Sequence, residues 1–219
     1  GLGDVYKRQV QNSVSNYFSQ QNLKLVGLTM IWLGYFLPWV PHHAAALSMG
    51  AYDLAAWVML LPQVQDGSIA ISRLHFLGLI SFAIVLTFEV SLQGGVWRWL
   101  FLVVGLGIIM MIPSYPDILY FRTDLMVQSQ IALVGATLLM TVALWYWRNW
   151  RWMKIVQGII AALVGYGALR ALLLIRPAVG ILYGTIPEIG LGWYITLLGC
   201  LFVFVSIISD NSVRSFERE

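Results

Sequence analysis

The sequence predicts an all-α fold: a polytopic integral membrane helix bundle with six transmembrane helices and an interfacial helix in the first outer loop. Three observations predict it. First, 59% of the residues are hydrophobic and only 11% are charged, whereas charged residues make up about a quarter of a soluble domain. Second, six apolar runs approach the roughly 20 residues that cross the hydrocarbon core of a bilayer. Third, a basic and aromatic turn at residues 148–154 separates two of these runs.

The six runs follow one another in a single transmembrane domain, residues 23–209. The first run ends at the helix-breaking Pro38 and Pro41, and the turn 93–95 is short enough to make the second and third runs an antiparallel hairpin. The predicted spans are residues 23–40, 74–92, 96–112, 127–147, 155–175 and 189–209.

Both ends of the chain are polar. Residues 1–22 form a polar lead-in, and the opening stretch 1–9 reads like translated adaptor sequence, so we expect those residues to be non-native. Residues 210–219 form a polar tail that we expect to be cytoplasmic.

The distribution of basic residues predicts the orientation, because Lys and Arg collect in cytoplasmic loops. With both termini inside, and leaving out Lys7 and Arg8 of the opening stretch, seven basic residues lie on the cytoplasmic side and three lie outside. The inner group is Lys24, Arg98, Arg148, Arg151, Lys154, Arg214 and Arg218, and the outer group is Arg73, Arg122 and Arg176. Both termini are therefore expected in the cytoplasm of a prokaryotic cell, with the bundle in its cytoplasmic (inner) membrane.

The outer loop before the second span allows two interpretations, because its residues 44–61 form an apolar stretch almost long enough to cross the membrane. A crossing would make seven spans and place the N-terminus outside. We favour an interfacial helix from about Asp53 to Leu61, whose start Asp53 can cap. Leu54, Trp57, Val58 and Leu61 recur at helical spacing on one face of it. A seven-helix retinal protein is excluded, since the last span has no Lys for a Schiff base.

Two ionisable residues fall inside predicted spans, where such residues are functional candidates. Glu89 is close enough to the cytoplasmic end of its span to reach the interface or to pair with Arg98. Arg170 lies near the outer end of the fifth span, where it can snorkel to water. Its alternatives are a structural pair with Glu188, or an anionic ligand.

Polar residues converge on the predicted outer face, where the Pro-rich and Gly-rich loops 113–117 and 177–187 either line a cavity or are ordinary connections. The candidate site there comprises Arg170, Glu188, Asp124, Arg122, Asp53 and His75.

The sequence predicts no metal site, no cofactor and no nucleic-acid partner. His42, His43 and His75 lack the spacing of a metal or haem site, and the lone Cys200 excludes a cysteine cluster. The net charge of +3 is too small for nucleic-acid binding. Paired intramembrane carboxylates and nucleophile motifs are missing, so we do not expect an enzyme.

Gly158 and Gly165 fit small-residue helix packing.

The expected function is a permease-like membrane subunit of a small-solute transporter, embedded in the lipid bilayer. Because the chain has no nucleotide-binding motif, this hypothesis predicts an energising partner, either an ATPase or another membrane subunit. The alternative is a non-transport scaffold or assembly subunit of a larger envelope or respiratory complex. Neighbouring genes would distinguish the two.

Overall fold

The computed structural model describes residues 21–44, 47–92, 98–113, 119, 123–147 and 151–216. These residues form helices, joined by turns and by one isolated antiparallel bridge between Val40 and Met49. The helices are α1 (residues 21–36), α2 (Ala51–Trp57, continued by a 3₁₀ turn at Val58–Leu60), α3 (Pro62–Gln65), α4 (Leu74–Leu92), α5 (Arg98–Ile109), α6 (Leu125–Trp147), α7 (Arg151–Tyr183) and α8 (Leu191–Phe216).

Four of these helices, α4, α6, α7 and α8, are long and apolar enough to cross a membrane. The predicted spans 23–40 and 96–112 correspond to shorter helices within the described residues. Helix α1 stops at residue 36 because the position before Pro38 disfavours helical backbone. Helix α5 has 12 residues. The predicted turn 93–95 and residues 148–150 of the predicted turn 148–154 lie outside the described residues, whereas residues 151–154 form the first turn of α7 instead of a loop.

Helix α7 extends beyond the predicted span 155–175, so part of the expected outer loop 177–187 is helical instead. It passes through Pro177 and ends at Tyr183. Proline is tolerated inside membrane helices, where neighbouring groups satisfy the backbone that it frees. Gly184, with φ of 73°, adopts the left-handed conformation that commonly terminates a helix.

Helix α4 lies at the centre of the bundle and packs against α2, α5, α6 and α7. In its membrane-length segment 78% of the residues are buried, against 17% in α6. Because α4 is enclosed, any polar side chain on it needs a partner inside the protein.

Helices α1 and α8 pack antiparallel with their backbones in contact. A Cβ atom added at Gly27 would lie 2.8 Å from the Gly199 carbonyl oxygen, and one added at Gly34 would lie 2.6 Å from the Thr196 nitrogen. One added at Gly192 would lie 2.8 Å from the Gly34 carbonyl oxygen. These pairs use a spacing of seven residues on each helix, which allows close approach as other small-residue patterns do.

The segment after α1 folds back onto the start of α8. The Trp39 carbonyl accepts a hydrogen bond of 2.8 Å from the Gly190 N–H, and the Pro38 carbonyl accepts one of 3.0 Å from the Gly192 N–H. The Trp39 indole is buried and donates to the Gly34 carbonyl at 2.9 Å. The end of α1 is therefore fixed against α8 by backbone hydrogen bonds.

Helix α2 resembles the helix predicted in the first loop, with an earlier start at Ala51. Leu54, Val58 and Leu61 of the predicted apolar face are buried. Trp57 is 44% exposed. The helix thus packs one apolar side against α4.

Candidate functional site

Two of the predicted site residues stabilise helix ends. The Asp53 carboxylate accepts a hydrogen bond of 2.9 Å from the Gly50 N–H, so Asp53 lies in the first turn of α2 and bonds back to the N-cap residue Gly50, instead of being the N-cap itself as expected. The Asp124 carboxylate accepts one of 2.8 Å from the Met126 N–H at the start of α6. Both carboxylates are exposed and satisfy free helix N–H groups.

His75 has a similar local role before α4. Its Nδ1 atom lies 3.2 Å from the Ser72 nitrogen and 3.2 Å from the Ser72 hydroxyl. In the same loop the Ser68 N–H donates to the Asp66 carboxylate at 2.8 Å, which lowers the pKa of that carboxyl. These contacts shape the loop that leads into α4.

Arg170 and Glu188 are both exposed. Among the described residues neither forms a hydrogen bond or an ion pair, and no ion pair joins them. Arg122 lies outside the described residues. The predicted outer-face group is therefore not assembled into one site by the described part of the fold.

A partly buried polar cluster forms instead around Arg73. With the Gln130 amide oriented to satisfy its neighbours, its oxygen accepts a hydrogen bond of 2.9 Å from Arg73 Nη1, and its nitrogen donates to the Ile112 carbonyl at 2.9 Å. Gln130 is only 1% exposed. The side chain of Arg73, which precedes α4, is thus directed towards α6.

Two tyrosines complete this Arg73 cluster, defined here as Arg73, Gln130, Tyr35 and Tyr52. Tyr35, at the end of α1, is fully buried, and its backbone lies beside the start of α2: a Cβ atom added at Gly50 would lie 3.3 Å from the Tyr35 carbonyl oxygen. The Tyr52 hydroxyl donates to the Met111 carbonyl at 3.2 Å. In the described structure the Tyr35 hydroxyl and Arg73 Nε are buried with no hydrogen-bond partner.

A second cluster, the Lys24 cluster, lies near the other end of α4. Lys24 Nζ is 2.6 Å from Glu89 Oε2, and Gln157 Nε2 donates to the same oxygen at 2.5 Å. The Lys24 and Glu89 side chains are 13% and 24% exposed, and Gln157 is buried. The cluster joins α1, α4 and α7.

This ion pair differs from the one that the sequence suggested for Glu89. Arg98 lies over the ring of Trp99, with 5.8 Å from its guanidinium carbon to the ring centroid. Glu89 pairs with Lys24 because α1 packs beside α4 at this end of the bundle, a proximity that the short 93–95 turn did not indicate.

The two clusters are separated along α4 by 16 residues, about 24 Å at the helical rise. Ser81 lies midway, and its buried hydroxyl has no partner within the described residues. Further along α4, the Thr87 hydroxyl accepts a hydrogen bond of 3.1 Å from the Trp32 indole of α1. The interior between the clusters is thus mainly apolar, with isolated hydroxyl groups.

A small crevice lies between α4, α7 and α8. Its volume is about 10 Å³, room for roughly one water molecule. Trp193, Thr196 and Cys200 contribute to its lining, and Trp193 Nε1 is buried without a partner in the described structure. A solute does not fit in this crevice in the conformation described.

The histidines do not form a metal centre with other described residues. The rings of His42 and His43 have centroids 4.0 Å apart, and His42 lies 4.7 Å from the Tyr183 ring. Within the described parts of the chain, no three His, Cys, Asp or Glu side chains are grouped so that they could hold a metal ion.

Sequence reasoning missed both clusters because it treated Arg73 as a loop residue and gave no weight to amides in apolar runs. Gln130 and Gln157 both lie in predicted spans, and both provide the polar partner of a charged residue. A buried amide needs hydrogen-bond partners. An amide inside an apolar run is therefore the signal that could have indicated these positions.

Comparisons of the chain with models of protein families, with curated proteins and with solved structures find no match. The fold and the clusters define a class: within the described residues this is an all-helical protein with four helices long and apolar enough to cross a membrane. Polar side chains meet at both ends of its central helix.

Proposed function

We propose that the chain is a permease-like membrane subunit of a small-solute transporter in a prokaryotic cytoplasmic membrane. In this proposal α1, α4, α5, α6, α7 and α8 are the six spans, α2 lies at the outer interface, and both termini are cytoplasmic. The Arg73 cluster then lies at the outer end of the bundle and the Lys24 cluster at the inner end.

The contact between α1 and α8 supports an even number of spans. Gly27 meets Gly199, and Gly34 meets Gly192, so the two helices run in opposite directions. If both cross the membrane, antiparallel first and last helices require an even number of crossings. Six spans agree with this requirement, whereas seven do not.

The observation that carries the functional proposal is the pair of polar clusters at the two ends of α4. Ionisable residues that face the interior of a membrane bundle often line the route of a solute or an ion. The Lys24–Glu89 pair holds α1 against α4 at one end, and Arg73 contacts α6 at the other. Such an arrangement could close alternate ends of a pathway by breaking and forming polar contacts between helices.

The second candidate is a scaffold or assembly subunit without transport activity, and the exposed face of α6 is the surface on which such a subunit would bind a partner. Leu139, Val142, Trp145 and Tyr146 on this helix are more than half exposed. Large contiguous apolar surfaces of this kind contact lipid or a partner helix. The energising subunit that the transporter proposal requires could bind the same face.

Accessibility of the centre of α4 distinguishes the two candidates. We would replace Cys200 by Ser and introduce Ser81→Cys, then treat the protein in vesicles with a methanethiosulfonate reagent that does not cross membranes. A pathway predicts that the thiol at position 81 reacts, and that adding Glu89→Gln, which breaks the Lys24 ion pair, accelerates the reaction. Ala83→Cys is the matched control, because Ala83 is buried on the opposite side of the same helix.

Equal, negligible reactivity at positions 81 and 83, with and without Glu89→Gln, would contradict the transporter proposal. That result describes a sealed interior, which is what a scaffold requires.

A further inference from the structure

The Arg73 cluster presents hydrogen-bond donors that no described group accepts. Arg73 Nε and the Tyr35 hydroxyl are both buried without a partner in the described structure, and Tyr35 is fully enclosed. Buried polar groups normally have a hydrogen-bond partner. Gln130 joins Arg73 to the Ile112 carbonyl, and Tyr52 bonds the neighbouring Met111 carbonyl. Two unsatisfied groups in this cluster indicate an acceptor that is not one of the described residues.

The charge of the cluster is positive. The one side-chain partner of Arg73 among the described residues is the neutral amide of Gln130. Asp53 is the described carboxylate near Tyr35, but it is exposed and accepts its hydrogen bond from Gly50. Arg73 is half-buried, but its Nε atom is enclosed, and a guanidinium with a buried donor is stabilised by a nearby negative charge.

The cluster includes side chains that reach solvent. Tyr52 is half-buried, and its hydrogen bond to the Met111 carbonyl is exposed to solvent. Asp53 and His75, which flank the cluster in sequence, are exposed. The buried donors thus belong to a cluster whose members Arg73 and Tyr52 are partly exposed.

We propose that the Arg73 cluster binds an oxyanion, a carboxylate or phosphate group, through Arg73 Nε and the Tyr35 hydroxyl. Guanidinium donors suit such groups because their planar fork matches two oxygens of a carboxylate or phosphate. Gln130 orients the guanidinium from the opposite side through Nη1. The oxyanion belongs either to a small solute or to the headgroup of an anionic lipid. The site does not depend on transport activity.

The test is binding to the purified full chain. Inorganic phosphate, acetate and succinate would be titrated in neutral detergent, and phosphatidylglycerol would be compared with phosphatidylcholine in nanodiscs, with the melting temperature and calorimetry as readouts. We expect saturable binding either of one of the free anions or of phosphatidylglycerol. Arg73→Gln should weaken that binding roughly 100-fold, and Tyr35→Phe roughly tenfold, as expected for a charge-assisted and a single hydrogen bond.

Arg170→Gln is the matched control, since Arg170 is an exposed arginine without a described partner; it should bind like the parent protein. Binding of the free anions identifies a solute site, and selective binding of phosphatidylglycerol identifies a lipid site. Three results would overturn the proposal. They are unchanged binding in Tyr35→Phe, equal losses of binding in Arg73→Gln and Arg170→Gln, and no binding of either the free anions or phosphatidylglycerol. If Arg73→Gln does not fold, the isosteric Tyr35→Phe decides. The thiol reactivity test at position 81 is independent, so either proposal can fail alone.

Discussion

Glu89 accepts two contacts at one oxygen, from Lys24 on α1 and from Gln157 on α7. The charges of Lys24 and Glu89 are largely shielded from solvent, so each compensates the other. Removing one partner of a shielded ion pair is costly because the remaining charge stays desolvated. The pair is therefore expected to matter more than an ion pair on the surface.

We predict that Glu89→Gln destabilises the protein by about 1–3 kcal/mol, less than for a fully buried pair because both side chains keep some exposure. Lys24→Met combined with Glu89→Gln should be milder than the sum of the single changes, since no uncompensated charge remains. Thermal unfolding of the four proteins in one detergent measures this coupling.

Glu188→Gln is the control for this cycle, because Glu188 is exposed and has no partner among the described residues. It should change the melting temperature little. Strict additivity of Lys24→Met and Glu89→Gln would mean that the two side chains do not interact in the membrane.

Among the elements, the interface between α1 and α8 depends on the absence of side chains. A Cβ atom at Gly34 would overlap with Thr196, and one at Gly199 would lie 2.7 Å from the Gly27 carbonyl oxygen. These neighbours are backbone atoms or short side chains, so they cannot move aside without separating the helices.

We predict that Gly34→Ala and Gly199→Ala each destabilise the protein by about 1–3 kcal/mol, the usual cost of overpacking a tight interface. The matched control is Gly135→Ala in α6, where an added Cβ atom meets nothing within 4 Å. It should be neutral or slightly stabilising, because alanine restricts the unfolded chain.

Melting temperatures in detergent and the yield of folded protein would measure the difference. If Gly34→Ala and Gly135→Ala behave alike, α1 and α8 are not in backbone contact, and the argument for an even number of spans is lost.

For the molecule as a whole, the seven-to-three distribution of basic residues predicts a cytoplasmic location for both termini. In a Cys200→Ser background, Asn149→Cys should be protected from an impermeant thiol reagent in intact cells, and Ser68→Cys should be labelled. Reporters at the N-terminus and after Glu219 should both behave as cytoplasmic.

Two results would contradict this topology in different ways. External labelling at position 149 would reverse the orientation of the bundle. Reporters on opposite sides at the two termini would require an odd number of spans, and residues 44–61 would then be the additional crossing.

Local sequence signals were enough to establish the helical class and the positions of α4 and α6, whereas α7 and α8 extend well beyond their predicted spans. The predicted span 74–92 coincides with α4, and 127–147 starts two residues inside α6. These features are local, because a run of apolar residues, a capping Asp53 or the proline after α1 acts on its own segment. The charge pattern also yielded an orientation, which remains a prediction.

Which polar groups meet depends on the packing of the helices. Arg73 with Gln130, and Lys24 with Glu89 and Gln157, are pairs separated by 57 or more residues, and their contact requires particular helices to be neighbours. That arrangement arises from many weak contacts, such as those of Gly27, Gly34 and Gly199, that are spread along different helices. Dispersion contacts are individually small and act collectively, so no single stretch of sequence encodes them. The fold class is therefore readable segment by segment, whereas the candidate site exists only after the helices have packed.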